Sequence, residues 1–457
     1  MSERNKILNL HFKDFVKSYK GVLKVDPKVN LSDFNTISTD SRTIKKDDVF
    51  LALKGDSFDG NKFANEAIAK GCKFFITEDK NIDKGGILVD STTKFLENLA
   101  SFLITKNKNI KIFGITGTNG KTTTKELLSS ILSKKFKILS TKGNFNNLIG
   151  LPLTIMNLTN NHEALVLEMG TNSEGEIRRL ANIARPQFAT ITNIGKGHTE
   201  KLKNEKTVFH EKKDITCFFN SDSIFSFNFD NRFLKDYFLE IECKKISFGI
   251  KNKADVSANN ISTNYSEFDL CYNKKNIKIN LMAPGVHNIY NCLCSASLSI
   301  MAGLELEQIK NGIEEFAGID NRFKIIKLKN GNVIINDTYN ANPNSMQSAI
   351  EMTSKIFSTK EKIAILGDML ELGDLAEDEH IKIGKEISDN GFKELYAYGD
   401  NSENYSINLK ETTRFIKIVE HSQIIDFIDL DSITNTVILV KGSRGMRMEK
   451  IFDSLKI

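Results

Sequence analysis

The chain has 457 residues, too many for a single hydrophobic core, and this length suits two or three domains. Its 63 basic and 58 acidic residues leave a net charge of only +5, and the lysines are scattered, which argues against a nucleic-acid partner. No apolar run approaches a membrane span and the N-terminus has no apolar signal core, so we expect a cytoplasmic protein without membrane insertion. The six cysteines form no CxxC pair, and we expect buried free thiols.

The first hundred or so residues predict a small α/β domain in which short strands alternate with helices. The predicted strands are 49–53, 73–77 and 86–89, and the predicted helices are 63–70 and 93–105. Ser41, Arg42 and Lys54 fall at strand edges and turns of this domain. Because an exposed arginine is more often solvated surface than ligand, the residues alone favour a solvated Arg42 over a functional one.

The stretch 111–128, KIFGITGTNGKTTTKELL, predicts a strand, a glycine-rich turn and the start of a helix. Such a turn lets backbone N–H groups converge on phosphates at the N-terminus of the helix. In this pattern Lys121 would reach the β and γ phosphates and the hydroxyl of Thr122 would bind Mg²⁺. The standard pattern has glycine where this chain has Ile115, so the match is to a variant, and an ordinary glycine-rich turn is the alternative. The predicted nucleotide-binding residues here are Gly117, Thr118, Asn119, Gly120, Lys121, Thr122 and Thr123.

Two later strands of the predicted parallel sheet lead into polar residues at the sheet edge where open α/β sheets bind ligands. The strand 164–169 carries Glu168 near its end, and His198 lies just beyond the strand 188–194. A glutamate on an apolar strand is seldom buried without a partner, so we favour Glu168 as a Mg²⁺ ligand over a surface residue. His198 is either an ordinary loop histidine or part of a second metal site at this edge.

A helix is predicted over 205–219, where Val208, Ile215 and Phe219 define one apolar stripe that also contains Lys212. Burial would lower the pKa of that lysine towards a neutral amine, which can react with CO₂ to form a carbamate that binds Mg²⁺. The commoner fate of such a lysine is to extend its charge past its neighbours into solvent.

The chain beyond residue 320 predicts a further doubly wound α/β domain. It opens with a hairpin, 324–328 and 333–336, turned by an Asn-Gly pair. Strands 363–366, 394–398, 415–419 and 436–440 then alternate with helices 344–356, 378–388, 422–428 and 446–455. We therefore predict three domains: 1–107, 108–319 and 320–457.

Several of these segments resemble the Mur ligase family, and the resemblance covers essentially the whole chain. GTNGKTT resembles the family's nucleotide loop, and TDSRTIKKDDVFLALKG resembles its N-terminal domain, which binds the uridine diphosphate of a sugar nucleotide. DTYNANPNSM, LGDMLELG and LVKGSRGMRME resemble the third domain of those members that add D-alanyl-D-alanine. The resemblance implies an α/β protein with the three-domain Mur ligase architecture: a sugar-nucleotide domain, a central P-loop parallel-sheet ATPase domain and a C-terminal Rossmann-like domain.

The resemblance also implies an activity. A monomeric, ATP-dependent and Mg²⁺-dependent ligase would join D-alanyl-D-alanine to UDP-N-acetylmuramoyl-tripeptide through an acyl phosphate, in the synthesis of peptidoglycan precursors. It would carry a carbamylated Lys212 that holds a second Mg²⁺ with His198, beside a first held by Thr122 and Glu168. The alternatives are a different amide ligase of the same superfamily and a non-catalytic nucleotide-binding homologue, and the joint presence of these residues with Lys121 disfavours the second.

The resemblance finally assigns binding residues outside the loop, and the residues themselves leave simpler explanations open. The further nucleotide contacts are Asn288, Asn291, Arg322 and Asp337. The contacts assigned to the substrates are Ser41, Arg42, Lys54, Asn144, Asn146, Asn147, Tyr339, Asn340, Asn342, Lys441 and Arg444. By composition alone, the three asparagines at 144–147 are ordinary turn formers and the polar start of the helix after residue 285 is a cap. Lys441 and Arg444 would contact either the nucleotide or the dipeptide.

Overall fold

A computed structural model describes residues 6–32, 34–55, 58–81, 85–195, 202 and 204–455, and the structural statements below refer to these residues. They form three α/β units that follow one another along the chain, each built around its own sheet. Each sheet lies inside one of the three predicted domains, whose exact boundaries stay a prediction. In the described part of the chain no helix is long and apolar enough to cross a membrane.

The first unit is a five-stranded sheet in the order β1-β5-β4-β3-β2, parallel except for β1. Its strands are β1 Val22–Val25, β2 Ile37–Ser38, β3 Val49–Leu51, β4 Phe74–Thr77 and β5 Gly86–Val89, and its helices are α1 Ile7–Ser18, α2 Ala64–Ala69 and α3 Thr92–Lys106. The sequence analysis missed α1, although its buried residues Leu8, Phe12 and Phe15 follow helical spacing. Phe12 packs against the rings of Phe34 and Phe95, which anchors this helix to the unit.

The central unit is a nine-stranded sheet in the order β14-β13-β12-β11-β10-β9-β6-β8-β7. Its strands are β6 Lys111–Thr116, β7 Ile138–Ser140, β8 Ala164–Glu168, β9 Phe188–Ile191, β10 Ile224–Asn228, β11 Lys244–Gly249, β12 Val256–Asn259, β13 Glu267–Tyr272 and β14 Lys275–Asn280. Its helices are α4 Lys121–Leu132, α5 Gly150–Ile155, α6 Glu176–Ala184, α7 Glu205–Lys213, α8 Arg232–Glu240, α9 Val286–Met301 and α10 Leu306–Glu314. Strands β6 to β12 are parallel to one another. Because β6 lies between β8 and β9, the chain builds one side of the sheet with β7 and β8 and then crosses to the other side of β6 with β9. Ligands bind at such a switch point.

The predicted helix over 205–219 is too long. It ends at Lys213, and a 3₁₀ turn follows over Asp214–Thr216. The hydroxyl of Thr216 donates to the carbonyl of Lys213 at 2.8 Å, a local bond that competes with continuation of the helix. The predicted stripe nevertheless faces inward, because Val208, Lys212 and Ile215 are buried.

The third unit is a six-stranded sheet in the order β15-β16-β20-β17-β18-β19, parallel except for β15. Its strands are β15 Lys324–Lys327, β16 Val333–Asp337, β17 Glu361–Gly367, β18 Glu394–Tyr398, β19 Arg414–Ile418 and β20 Thr436–Lys441, and its helices are α11 Pro343–Ile356, α12 Ala376–Asp389 and α13 Lys450–Leu455. The predicted helix 422–428 is a 3₁₀ turn, His421–Asp426, and the predicted helix 446–455 shortens to α13. Because β20 lies between β16 and β17, the segments after these three strands meet at one edge.

Apolar cores join the first unit to the central one and stabilise the third unit by itself. One face of the central sheet shares a core with α1 and α3 of the first unit, and the other face packs under α4 and α9. The third unit has its own core on each side of its sheet. All six cysteines are free, as expected, but only Cys292 and Cys294 are fully buried.

Candidate active site

The carboxyl ends of the central strands and of the third sheet border one cleft of about 920 Å³. Residues that lie far apart in the sequence meet there. The sequence-predicted residues in its lining are Thr118, Asn119, Gly120, Lys121, Thr122, Thr123, Asn144, Asn146, Asn147, Glu168, Asn288, Asn291, Arg322, Asp337, Tyr339, Asn340, Asn342, Lys441 and Arg444. Gly117 and Lys212 are not among the lining residues, and His198 lies outside the described residues.

The glycine-rich turn needs its glycines for two separate reasons. Gly117 has φ +147° and Gly120 has φ +80°, conformations that residues with side chains rarely adopt. A Cβ on Gly117 would also overlap the hydroxyl of Thr192, and one on Gly120 would overlap the side-chain oxygen of Asn291. The turn is thereby pressed between the end of β9 and the start of α9, with Gly120 as the N-cap of α4. This geometry leaves backbone N–H groups at a helix N-terminus, where an anion is favoured.

Lys121, the first residue of α4, turns its ammonium group back over the loop. Its Nζ donates to the carbonyl oxygens of Gly117 at 2.7 Å and Thr118 at 3.1 Å. Burial lowers the pKa of Lys121, while the nearby Glu168 carboxylate opposes that shift. The cation is therefore held at the mouth of the turn, at the place that the loop pattern assigns to the β and γ phosphates.

Glu168 ends β8 as a buried carboxylate that is only half satisfied. The residue is 2% exposed, its Oε1 accepts from Asn146 Nδ2 at 2.8 Å, and its Oε2 has no hydrogen-bond partner among the described residues. Its backbone N–H donates to the hydroxyl of Thr141 at 3.1 Å. A buried carboxylate oxygen without a partner is costly, so this position favours a cation. Sequence reasoning overlooked Thr141, although it directly follows β7 at the same edge of the sheet.

The amine of Lys212 is buried in the described part of the structure. Lys212 is 1% exposed on α7, and its Nζ makes no hydrogen bond to any described residue. Burial and, to a smaller degree, the charge of Lys121 place the pKa of Lys212 well below its ordinary value. The side chain does not extend into solvent, so the commoner fate of an inward lysine does not apply here. The lowered pKa favours the neutral amine, and Lys121 is close enough for its charge to contribute to that shift.

The neighbouring Glu211 fixes the helix that carries Lys212. Its carboxylate accepts from the backbone N–H groups of Gly175 at 2.6 Å and Ile177 at 2.8 Å, and from the hydroxyl of Thr171 at 3.1 Å. These groups belong to the segment that runs from β8 into α6. Helix α7 is therefore tied to the chain that leaves Glu168.

The third unit touches the glycine-rich turn directly. A guanidinium nitrogen of Arg322 donates to the hydroxyl of Thr122 at 3.1 Å, and the same guanidinium lies 4.0 Å above the ring of Tyr339. Asn342 Nδ2 donates to Asn119 Oδ1 at 2.8 Å. These contacts join one wall of the cleft to the other.

Lys441 and Asp337 form an ion pair at the ends of β20 and β16. The Nζ–Oδ2 distance is 2.6 Å, the lysine side chain is 3% exposed, and Nζ also donates to the carbonyl of Asn340 at 3.0 Å. Phe323 N donates to the other carboxylate oxygen at 3.1 Å. Lys441 is thus engaged within the third unit. The side chain of Arg444 is more than half exposed, and its guanidinium pairs with Glu449 at 3.1 Å.

We expect Lys441→Met to lower the free energy of unfolding of the third unit by about 3 kcal/mol, because it leaves the Asp337 carboxylate without its cation. Denaturant unfolding of this variant, of Asp337→Asn and of the double variant measures the effect. The double variant should recover much of the loss. Losses that simply add would show that the pair contributes no coupling.

The start of α9 brings further polar groups to the cleft. Asn291 Oδ1 accepts from the hydroxyl of Thr124 at 3.3 Å, and its Nδ2 donates to Asn288 Oδ1 at 3.3 Å. His287 and Tyr290, which were not among the predicted nucleotide contacts, also line the cleft. Burial lowers the pKa of His287 to about 4, so this imidazole is neutral at physiological pH.

The three residues predicted to bind substrate in the first unit do not line the cleft. Arg42 is exposed and pairs with Asp40, Nε to Oδ1 at 2.9 Å and a terminal nitrogen to Oδ2 at 2.7 Å. Ser41 is buried and its hydroxyl donates to Glu66 at 3.4 Å, while Lys54 is exposed. Their role in binding a sugar nucleotide stays a prediction, on a surface separate from the cleft.

Comparison with known proteins gives three family models that match the chain in order. "Mur ligase family, catalytic domain" matches residues 33–112, "Mur ligase middle domain" matches residues 115–299, and "Mur ligase, glutamate ligase domain" matches residues 321–444. The three models together span most of the chain.

Individual relatives match over nearly their full lengths. The UDP-N-acetylmuramoyl-tripeptide--D-alanyl-D-alanine ligase of Bacillus subtilis is 31% identical over 453 residues, which cover 97% of each chain. A crystal structure of MurF from Acinetobacter baumannii superposes with a TM-score of 0.85 at 29% identity and covers 92% of this chain and 93% of that one. MurF ligase from Thermotoga maritima, solved in complex with ADP, superposes with a TM-score of 0.83 at 26% identity. The match covers 92% of this chain and 97% of that one.

Proposed function

The chain belongs to the Mur ligase family, and from this premise we propose that it is the ATP-dependent ligase that joins D-alanyl-D-alanine to UDP-N-acetylmuramoyl-tripeptide. The names of its full-length relatives support the substrates, and the ADP complex of a structural relative supports the nucleotide. Its place is then in the synthesis of peptidoglycan precursors. The nucleotide and sugar-nucleotide substrates make the cytoplasm the expected compartment.

One observation supports catalysis over simple nucleotide binding. Beside the glycine-rich turn the chain buries a carboxylate oxygen of Glu168 and the amine of Lys212, and neither atom has a partner among the described residues. Leaving two such groups unsatisfied in a folded core is costly. A binding protein would gain nothing from this arrangement, whereas a ligase that must organise charge around a phosphoryl group would.

Mg²⁺ fits these residues. The hydroxyl of Thr122 and the carboxylate of Glu168 would hold one ion. Lys212 as a carbamate would hold a second together with His198, which lies outside the described residues. Carbamylation would convert the partnerless amine of Lys212 into an anion that a metal ion can satisfy. Among the described residues no three His, Cys, Asp or Glu side chains form a ready-made metal cluster. The bound ions would neutralise charge on the phosphoryl oxygens.

The reaction proceeds in two substitutions. The terminal carboxylate of the tripeptide attacks the γ-phosphorus of ATP and ADP leaves, which produces an acyl phosphate. The amine of D-alanyl-D-alanine then attacks the acyl carbon, and the tetrahedral intermediate expels phosphate as the amine loses its proton. No nucleophile of the chain is needed. Positioning and electrostatic stabilisation are therefore the work of the protein.

The residues of the cleft divide this work. Lys121 places a cation on the β and γ oxygens, and Arg322 lies beside Thr122, where it adds a second positive charge. Asn119 and Asn342 hold the third unit against the turn, which keeps water from the acyl phosphate. Because a single chain supplies both walls of the cleft, we expect a monomer to be active.

We expect ATP hydrolysis by the purified protein to require both UDP-N-acetylmuramoyl-tripeptide and D-alanyl-D-alanine. Phosphate release measured with each substrate omitted in turn tests this, with UDP-N-acetylmuramoyl-dipeptide and single amino acids as the matched controls. Equal stimulation by one free amino acid would move the assignment to another amide ligase of the family. ATP binding without turnover under all of these conditions would favour a non-catalytic homologue.

A further inference from the structure

The segment 368–372, which directly follows β17, forms part of the third-unit wall of the cleft. Leu370, Glu371 and Leu372 line the cleft, and Leu370 is 42% exposed. Glu371 has φ +63°, a conformation that costs energy for a residue with a side chain. A segment of this kind keeps one shape only where its neighbours hold it.

His380 on α12 and Ser443 after β20 hold the backbone of the segment. Met369 N donates to His380 Nε2 at 3.0 Å, and Leu370 N donates to Ser443 Oγ at 2.8 Å. Ser443 N donates in turn to the carbonyl of Asp368 at 3.1 Å. The backbone N–H groups of Met369 and Leu370 therefore both donate to side chains outside the segment.

The hydrogen bonds of His380 leave its Nε2 as a hydrogen-bond acceptor. The side chain is fully buried, and its Nδ1 lies 2.6 Å from the carbonyl of Ala376, which can only accept. Nδ1 therefore carries the proton and Nε2 is free to receive Met369 N–H. Burial lowers the pKa of His380, while Asp368 and Glu379 oppose that shift, so the neutral form prevails.

The wall offers an apolar surface beside a cation. Leu370 packs so closely on Gly445 that a Cβ there would lie 2.8 Å from Leu370 Cδ1. Arg444 is the residue before that glycine, and its side chain is more than half exposed. Its Nη1 donates to Glu449 Oε1 at 3.1 Å, and a guanidinium has further N–H donors for a second carboxylate. The contacts of the third unit with the nucleotide loop come instead from Arg322 and Asn342. A leucine suits neither a triphosphate nor a ribose, but it suits methyl groups, and a guanidinium suits a carboxylate.

We propose that this wall seats the incoming dipeptide, with Leu370 against its methyl groups and Arg444 near its carboxylate, and that His380 is the positioning residue that fixes the wall. The inference rests on the proposed function, because it concerns the amine substrate of that reaction. His380 touches no substrate and acts through Met369 and Leu370. Loss of the His380 imidazole should therefore weaken binding of the dipeptide more than binding of the other two substrates.

Steady-state kinetics with each of the three substrates varied in turn test the proposal on Leu370→Ser, His380→Leu and His380→Gln. The leucine fills the space of the imidazole but leaves Met369 N–H unpaired, whereas the glutamine carbonyl can replace Nε2 as acceptor. We expect KM for D-alanyl-D-alanine to rise roughly tenfold in Leu370→Ser and His380→Leu. KM for ATP should stay within about twofold, and His380→Gln should recover most of the loss.

Two control variants separate the wall from general damage to the third unit. Ile387→Ala creates a cavity in the same core and on the same helix, two turns beyond His380, but leaves the hydrogen bonds from His380 and Ser443 to the wall in place. Ile425→Ser removes an apolar side chain that is 55% exposed outside the cleft. Neither should change the ratio of KM for the dipeptide to KM for ATP.

The possible failures are distinguishable. A wild-type protein that forms no product from the three substrates would overturn the proposed function itself. An active wild type in which Leu370→Ser leaves KM for the dipeptide unchanged, or in which Ile387→Ala raises it as much as His380→Leu does, would overturn the role of the wall. Leu370 is partly exposed, so its variant keeps the proposal testable even if His380→Leu does not fold.

Discussion

Lys212→Ala is expected to lose on the order of a hundredfold or more in turnover, because it removes a group that stabilises charge on the reacting phosphoryl oxygens. The side chain is 1% exposed, its amine has no hydrogen-bond partner within the described ranges, and burial places its pKa well below the ordinary value. A neutral amine in this position can combine with CO₂, and Mg²⁺ would stabilise the resulting carbamate. Turnover of the variant, measured as phosphate release, gives the size of the loss.

A short carboxylate supplied in solution should partly restore Lys212→Ala, because the truncated side chain leaves room for an anion at the metal position. Lys213→Ala is the matched control. Lys213 is one position further round the helix, where its ammonium lies over the rings of Phe209 and Tyr237 at about 6 Å. Its removal should be nearly silent. A crystal structure of the active, Mg²⁺-loaded enzyme with an unmodified Lys212 would refute the carbamate.

Lys121→Ala and Glu168→Ala should each keep the fold and lose on the order of a hundredfold in turnover. Lys121 is the cation at the mouth of the phosphate loop. Glu168 offers a carboxylate oxygen that has no hydrogen bond to any residue the structure describes and that fits a metal ion. Circular dichroism establishes folding and phosphate release establishes turnover.

Surface residues of the same unit serve as controls for this pair. Lys134→Ala removes a lysine that pairs with Glu315 at the end of α4, and Glu174→Gln removes the charge of an exposed glutamate. Both should leave turnover nearly unchanged. Near-normal activity in Lys121→Ala or in Glu168→Ala would remove that residue from its assigned role.

The sequence predicted those parts of the protein that depend on local patterns. The alternation of strands and helices gave the α/β class and the number of units, and both are confirmed. Glycines 117 and 120 marked the turn because its backbone requires them. The apolar stripe around Lys212 correctly predicted an inward lysine, since a helical period fixes which side chains share a face.

Other parts depend on contacts between distant segments, which a local pattern does not contain. Thr141 matters because β7 lies next to β8, and the sequence alone does not give that strand order. Lys441 was assigned to a ligand by the family resemblance, and the sequence did not show that Asp337 from another strand also engages its charge. The wall at 368–372 depends on His380, whose partner N–H is eleven residues away. Helix α1 is the exception, because its pattern was present in the sequence and was overlooked.

Transfer of labelled oxygen tests the central claim most directly. The protein is incubated with ATP, D-alanyl-D-alanine and UDP-N-acetylmuramoyl-tripeptide whose terminal carboxylate carries oxygen-18, and both products are analysed by mass spectrometry. An acyl phosphate requires the peptide product to be longer by D-alanyl-D-alanine and the released phosphate to carry one oxygen-18 atom. Release of unlabelled phosphate without formation of the longer peptide would contradict the account.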